Sequence, residues 1–187
     1  TEVLIYGYIK WGIKGLLERI EGMFAFAIYD KDKQRIFMAR DRVGIKPLYY
    51  YHRNRTLIFS SELKGIIAYP DFQKKINPDA LASYFRLRYI IGPLCIYQDC
   101  AKLLPGHFAS YQLETGELET QEYWNLAKSV KQIRDPEDKI IEQINETLEE
   151  AVKSHTLAAD VPVHTFLSGG IDSSIISALV KKMASFL

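Results

Sequence analysis

One stretch of the chain gathers residue types suited to holding a phosphate: Val163-His164-Thr165-Phe166-Leu167-Ser168-Gly169-Gly170-Ile171-Asp172-Ser173-Ser174. A β-branched, apolar run enters Ser-Gly-Gly and an amphipathic run leaves it. The pattern predicts a strand over 162–167, a tight loop over 168–172 and a helix from Ser173. Paired glycines let the backbone approach an anion with no Cβ in the way. Consecutive N–H groups make an anion nest, and a helix N-terminus adds unpaired donors and a partial positive charge. Ser168, Ser173 and Ser174 supply hydroxyls. Asp172 would repel a bare phosphate, so its carboxylate points to a Mg2+ ion between the two. The Gly-x-x-x-x-Gly-Lys spacing with its lysine is missing, and so is Gly-x-Gly-x-x-Gly. Read only as structure, the same residues make a sharp β-α turn capped by Asp172 and Ser173.

The elements that would position this loop follow from periodicity. A long helix from Pro136 to about Ala158 precedes it, with Ile140, Ile141, Ile144, Leu148, Ala151 and Val152 on one stripe. A single strand cannot build a parallel sheet, so that stripe is expected to lie exposed. Upstream, Asn125–Asp135 is polar and reads as an interdomain linker. The first 124 residues are β-rich. Thr1–Ile20 reads as a helix with a break near Gly12 and Gly15. Met23–Tyr29 alternates large and small apolar residues, which suits a strand covered on both faces, and Arg35–Arg40 pairs with it as a hairpin. Pro47–Tyr51 and Thr56–Ser60 form a second pair around 52–55. Glu62–Ala68 is a short helix. Asn77-Pro78 caps a helix running to about Tyr89. His107–Leu113 and Leu118–Tyr123 form a last hairpin.

Composition excludes several classes. The 187 residues carry 24 Lys+Arg against 23 Asp+Glu, a net charge of +1, which offers no electrostatic footprint for nucleic acid or an anionic membrane. No apolar run reaches the roughly 20 residues a bilayer span needs. Two cysteines, Cys95 and Cys100, are too few for a disulfide scaffold and read as half-buried thiols. The four histidines share no metal-ligand spacing. Tyr49, Tyr50 and Tyr51 read as core. Arg40, Asp41, Arg42 and Lys46 read either as an ion-pair network or as a solvated turn. The chain opens on Thr1 without an initiator Met and closes inside an amphipathic run, so both ends look cut.

Ser168–Ser174 resembles the pyrophosphate loop of the N-type ATP pyrophosphatases. Further stretches are similar to the glutamine-hydrolysing asparagine synthetases, in that family's own order: Glu21-Gly22-Met23-Phe24-Ala25-Phe26-Ala27-Ile28-Tyr29-Asp30, Ala39-Arg40-Asp41-Arg42-Val43-Gly44-Ile45-Lys46-Pro47-Leu48-Tyr49-Tyr50, Ser60-Ser61-Glu62-Leu63-Lys64, Leu103-Leu104-Pro105-Gly106-His107 and Tyr123-Trp124. The resemblance implies α+β followed by α/β architecture. Residues 1–124 would be the later part of a glutaminase domain of the N-terminal-nucleophile hydrolase (αββα) fold, 125–135 a linker, and 136–187 the first helix–strand–loop–helix of an adenine-nucleotide α-hydrolase-like synthetase domain. It implies a cytoplasmic ligase that makes asparagine from aspartate, ATP and glutamine through a β-aspartyl-adenylate, releasing AMP and pyrophosphate. Glutamine and aspartate would be its substrates and ATP and Mg2+ its cofactors. No nucleic acid or membrane is implied, and a homodimer is open.

By the same resemblance Leu167, Ser168, Gly169, Gly170, Asp172 and Ser173 are the ATP and pyrophosphate contacts, with Asp172 the Mg2+ partner. No catalytic residue is carried over, because the family's glutaminase nucleophile is an N-terminal Cys and Thr1 matches a helix start instead. The segment alone is therefore expected to be inactive. Two other readings stand beside this one. A related amidotransferase or lactam-forming synthetase would use another acceptor. A truncated, non-catalytic module would use the apolar stripe of the long helix as a partner surface.

Overall fold

In the computed structural model, which describes residues 2–159 and 161–184, the alternating apolar segments before residue 130 pair as two antiparallel sheets. The chain divides into two compact units, residues 1–130 and 131–187. Thr1, the expected start of the first helix, and residues 185–187, the expected end of the last, lie outside the described residues.

The first unit opens with helix α1 (Glu2–Arg19), broken at Gly12, where φ is 68° and ψ −178°. Strands β1 (Ala25–Asp30) and β2 (Arg35–Arg40) follow as the expected hairpin, Ala25 opposite Arg40 and Asp30 opposite Arg35. Strands β3 (Tyr49–Arg53) and β4 (Thr56–Ser60) come next, then the short helix α2 (Leu63–Ile67) and helix α3 (Pro78–Leu87). Strands β5 (Cys100–Lys102), β6 (His107–Gln112) and β7 (Leu118–Glu122) complete the sheets, and one turn of helix, α4 (Leu126–Ser129), lies within the stretch expected as linker. One sheet has the order β1-β2-β6-β7, the other β4-β3-β5.

Three clusters give the layering. Ile13 and Leu17 of α1 pack with Phe37, Ala39 and Phe108 on one face of the four-stranded sheet. Met38 and Ala109 on its other face meet Leu48 and Leu103, with Tyr50 and Leu57 of the three-stranded sheet. Ile66 of α2 packs with Tyr51, Cys95 and Cys100 on the far side of that second sheet. The order is helix, sheet, sheet, helix. Such burial, at roughly 25 cal/mol per Å² of apolar surface, is what holds these layers together.

Local chemistry explains most element ends. Asn77 caps α3 as expected, its Oδ1 accepting from the N–H groups of Asp79 (3.0 Å) and Ala80 (3.3 Å). The helix stops at Leu87, two residues short of the expected end, where Arg88 turns to φ 61°. Strand β3 runs two residues further than expected. His52 and Arg53 stay paired to Leu57 and Thr56, and the turn shrinks to Asn54-Arg55, both at positive φ as a tight hairpin requires.

Strand β1 corrects the expectation of cover on both faces. It is an edge strand, and although Ala25 joins the cluster between the sheets, Ala27 and Tyr29 are exposed. Large-small alternation marks two faces, but only neighbouring elements decide whether both are covered.

At the end of β1, Asp30 accepts from the Tyr8 hydroxyl at 2.5 Å and the Lys33 N–H at 2.9 Å, with Lys33 Nζ 3.0 Å away. The Tyr8 hydroxyl chiefly, then the Lys33 N–H, hold the Asp30 carboxyl down at about 2. A carboxylate with a depressed native pKa contributes stability above its unfolded value, about 3.9, and that contribution fades as pH falls towards 2. A carbon-13 NMR titration of the Asp30 carboxyl is expected to show a midpoint near 2, and Tyr8→Phe to move it upward. An unchanged midpoint in Tyr8→Phe would refute the hydroxyl's role.

The second unit comprises helix α5 (Glu137–Leu157) and helix α6 (Ile171–Ala184), which pack on each other, with Lys182 Nζ 2.5 Å from Glu149 Oε1. No described residue of this unit is fully buried, and Ile141 and Ile144 on the α5 stripe are about half exposed. The strand expected over 162–167 does not form. Those residues carry no β-ladder, and Phe166 is 98% exposed. A strand is stabilised by the partners it bonds to, and this unit contains no other strand among its described residues.

Candidate functional site

The glycine pair lies at the mouth of α6. The helix starts at Ile171, two residues earlier than its pattern suggested, so Asp172 sits inside the first turn rather than in the loop. The ladder begins with the Ser174 N–H donating to Gly170 O at 3.1 Å. The N–H groups of Ile171, Asp172 and Ser173 precede that first bond and point out of the helix end, as the geometry of any α-helix requires.

Side chains tie the loop to the helix. The Ser173 and Ser174 hydroxyls both donate to Gly170 O, at 3.0 and 2.8 Å, and Ser168 Oγ lies 3.0 Å from Ser173 Oγ. Upstream, Ser177 Oγ donates to Thr165 Oγ1 at 3.1 Å. The structure thus brings Ser168, Gly170, Ser173 and Ser174 together. Leu167 is 67% exposed beside them.

Gly169 carries the conformational demand. Its φ of +83° is one that L side chains avoid, and a Cβ built there would meet no heavy atom within 4 Å. The glycine is required by the backbone turn, and the space beside it is open. Outward N–H groups with no side chain over the Gly169 turn fit a phosphate group, and the three hydroxyls, which bond within the loop here, would reach it by rotating about χ1. The donor set also limits the metal. No group of three or more His, Cys, Asp or Glu side chains suited to a metal ion occurs among the described residues. A single carboxylate, Asp172, matches an ion that keeps its waters and is shared with phosphate oxygens, which is how Mg2+ commonly binds.

The cluster at 40–46 in the first unit is neither of the two things its charges suggested. Asp41 is only 1% exposed, and its carboxylate accepts the N–H groups of Ile45 and Lys46, both at 2.9 Å. The Arg40 guanidinium donates to three carbonyls, those of Lys46, Gly44 and Leu103, each at 2.7 Å. Tyr123 Oη donates to Arg40 O at 2.8 Å, and Gly106 N–H to Asp41 O at 2.9 Å. Gly106 has no room for a side chain, since a Cβ would lie 2.2 Å from Trp124 O. This is a backbone-binding knot that joins β2, the 103–106 turn and the end of β7. The Arg42–Glu21 pair is long, at 3.9 Å, and the Glu62–Lys64 pair is exposed on both sides, so both count for little.

Comparison with known proteins covers both units. Residues 1–124 match the family model of a glutamine amidotransferase domain, and residues 143–185 that of asparagine synthase. The chain is 42% identical over 184 residues to a protein of Methanocaldococcus jannaschii named as its second glutamine-hydrolysing asparagine synthetase, covering 97% of this chain and 35% of that one. It is 34% identical over 180 residues to asparagine synthetase (glutamine-hydrolysing) 3 of Bacillus subtilis, covering 96% and 28%. It is also 33% identical over 186 residues to amidase chry2 of Gibberella zeae, covering 97% and 26%. The chain therefore spans about a third of the length of these relatives, or less.

Proposed function

The chain belongs to the glutamine-hydrolysing asparagine synthetase family, and from that premise we propose that it is part of an ATP-dependent ligase that transfers glutamine-derived ammonia to aspartate. In this reading residues 1–124 are the later part of a glutaminase domain of the N-terminal-nucleophile hydrolase fold, 125–135 a linker, and 136–187 the opening of an ATP-pyrophosphatase domain. The observation that carries it is the loop before α6, with its open Gly169 turn and three clustered hydroxyls.

The division of labour has a chemical reason. A carboxylate resists nucleophiles, and ATP supplies the AMP leaving group that makes it reactive as a β-aspartyl-adenylate. The residues of this chain act on the other product. Gly169 and Gly170 admit the pyrophosphate to the backbone, and the Ile171, Asp172 and Ser173 N–H groups donate to it. Ser168 and Ser173 would fix its orientation, Leu167 would line the nucleotide with its backbone, and Asp172 would hold Mg2+, which would offset the negative charge of the phosphates. Neither Cys95 nor Cys100 is the N-terminal cysteine with which the family hydrolyses glutamine, and the chain by itself is inactive in both half-reactions.

A second reading keeps the loop and changes the acceptor, and the similarity to amidase chry2 favours retaining it. The test is exchange of labelled pyrophosphate into ATP, run on the protein at the length of its relatives. Exchange that appears only with aspartate supports asparagine synthesis. Exchange that ignores aspartate and follows another carboxylate supports the second reading, and no exchange with any acceptor overturns the loop's assignment.

A further inference from the structure

Cys95 and Cys100 play no part in the chemistry described so far, yet their placement is specific. Leu94 and Ala101 form an antiparallel bridge, and the Lys102 N–H donates to Pro93 O at 2.9 Å. Continued by one residue, that register sets Cys95 opposite Cys100, and their sulfurs interact. Opposed residues in antiparallel pairs have Cα atoms about 4.5–5.5 Å apart, inside the 4.4–6.8 Å span of disulfides. Both thiols are buried, at 1% and 8% exposure, in one cluster with Tyr51 and Ile66.

We propose that Cys95 and Cys100 are a redox site, a dithiol that reacts with a small hydroperoxide and closes reversibly to an intramolecular disulfide. The two sulfurs face different surroundings, Cys95 the backbone N–H groups of Tyr97 and Ile96 and Cys100 the Asp99 carboxylate. The Cys100 thiol interacts with the Cys95 sulfur in a way that favours the Cys95 thiolate, and the Tyr97 and Ile96 N–H groups and the Lys102 charge act in the same sense, whereas burial opposes it. The net effect lowers Cys95 and raises Cys100, chiefly through the contact between the two sulfurs themselves. Cys95 is the attacking sulfur and Cys100 the resolving one.

The steps balance. The Cys95 thiolate attacks one peroxide oxygen, the O–O bond breaks, and hydroxide leaves with Cys95 as sulfenic acid. The Cys100 sulfur then attacks the Cys95 sulfur, forming S–S, and the sulfenic oxygen leaves as water. Overall two thiols lose two electrons and two protons, and one peroxide becomes two waters. The bond closes over Ile96–Asp99, which is already held by the Asn77 N–H on Ile96 O and the Gln98 N–H on Lys75 O. Oxidation therefore locks covalently the 95–100 loop, on which the start of α3 rests through the Asn77 N–H bond to Ile96 O.

The folded 187-residue chain is treated with hydrogen peroxide at neutral pH, then denatured and alkylated. The expected product resists alkylation at both cysteines, is monomeric on a non-reducing gel and regains both thiols with dithiothreitol. Closure should be about tenfold faster than in the same chain unfolded in urea, because the fold holds the two sulfurs together. With Cys100→Ser, dimedone should trap sulfenic acid on Cys95, and with Cys95→Ser little should form on Cys100. Thiols that stay alkylatable, disulfide-linked dimers, or a folded rate no faster than the unfolded one would each overturn the proposal. The wild-type arm decides it even where a serine variant folds poorly.

Discussion

Asp41→Ala is expected to lower the stability of the first unit by about 3 kcal/mol, the cost of leaving the Ile45 and Lys46 N–H groups without their charged acceptor. The figure sits below the full penalty for two dry donors because the side chains of Ile45 and Lys46 themselves are exposed and admit water. Asp41→Asn should cost less, since an amide keeps one acceptor but turns an NH2 group toward the second donor. Both tryptophans, Trp11 and Trp124, lie in this unit, so urea unfolding followed by tryptophan fluorescence reads it separately from the second unit. A loss below about 0.5 kcal/mol would place Asp41 with ordinary surface carboxylates and remove the knot as an organising feature.

The same residue sets a pH signature. Burial alone would raise the Asp41 pKa, but the backbone N–H groups of Lys46, Ile45, Gly44 and Phe24 outweigh it and hold the carboxyl below its usual range. With the folded value depressed, the contribution is complete above the unfolded value near 3.9 and is lost as pH falls through the lower folded one. Wild-type stability should therefore fall more steeply than that of Asp41→Ala on the acid side of pH 4. Parallel acid limbs would contradict the assignment.

Asp41 also shows where reading the sequence stops. Arg40-Asp41-Arg42 looks like a charged surface run, because charge alone cannot reveal that a turn will fold its own N–H groups onto a carboxylate. The hairpins and the Asn77 cap were legible for the opposite reason, since they are decided by neighbours within a few residues. The strand expected over 162–167 was misread because its apolar, β-branched residues encode a preference that only a partner strand can realise. Of the α5 stripe, Ile141 and Ile144 lie half exposed, as that same missing partner implied, whereas Ile140, Leu148 and Val152 are partly covered. The Cys95–Cys100 pairing was invisible in sequence, where four intervening residues hide a cross-strand register.

In the protein at the length of its relatives, Gly169→Ala and Asp172→Asn are each expected to cut pyrophosphate–ATP exchange at least about 100-fold, about 2.7 kcal/mol of transition-state stabilisation, while glutamine hydrolysis stays within about twofold. The two act for different reasons. Gly169 sits at φ +83°, and an alanine there pays roughly 1–2 kcal/mol in backbone strain while its Cβ touches no protein atom within 4 Å. A loss of exchange well beyond that strain would come from the methyl group filling space the pyrophosphate needs. Asp172 lies in the first turn of α6, where a carboxylate offsets the helix dipole by only about 0.3–1 kcal/mol. A merely structural Asp172 would therefore show a small fall in melting temperature and near-normal exchange in the asparagine variant. A Mg2+-holding Asp172 would show the reverse, an intact fold with exchange abolished and partly recovered at high Mg2+. Exchange within threefold of wild type in both variants would separate the loop from nucleotide chemistry and leave it as a β-α turn.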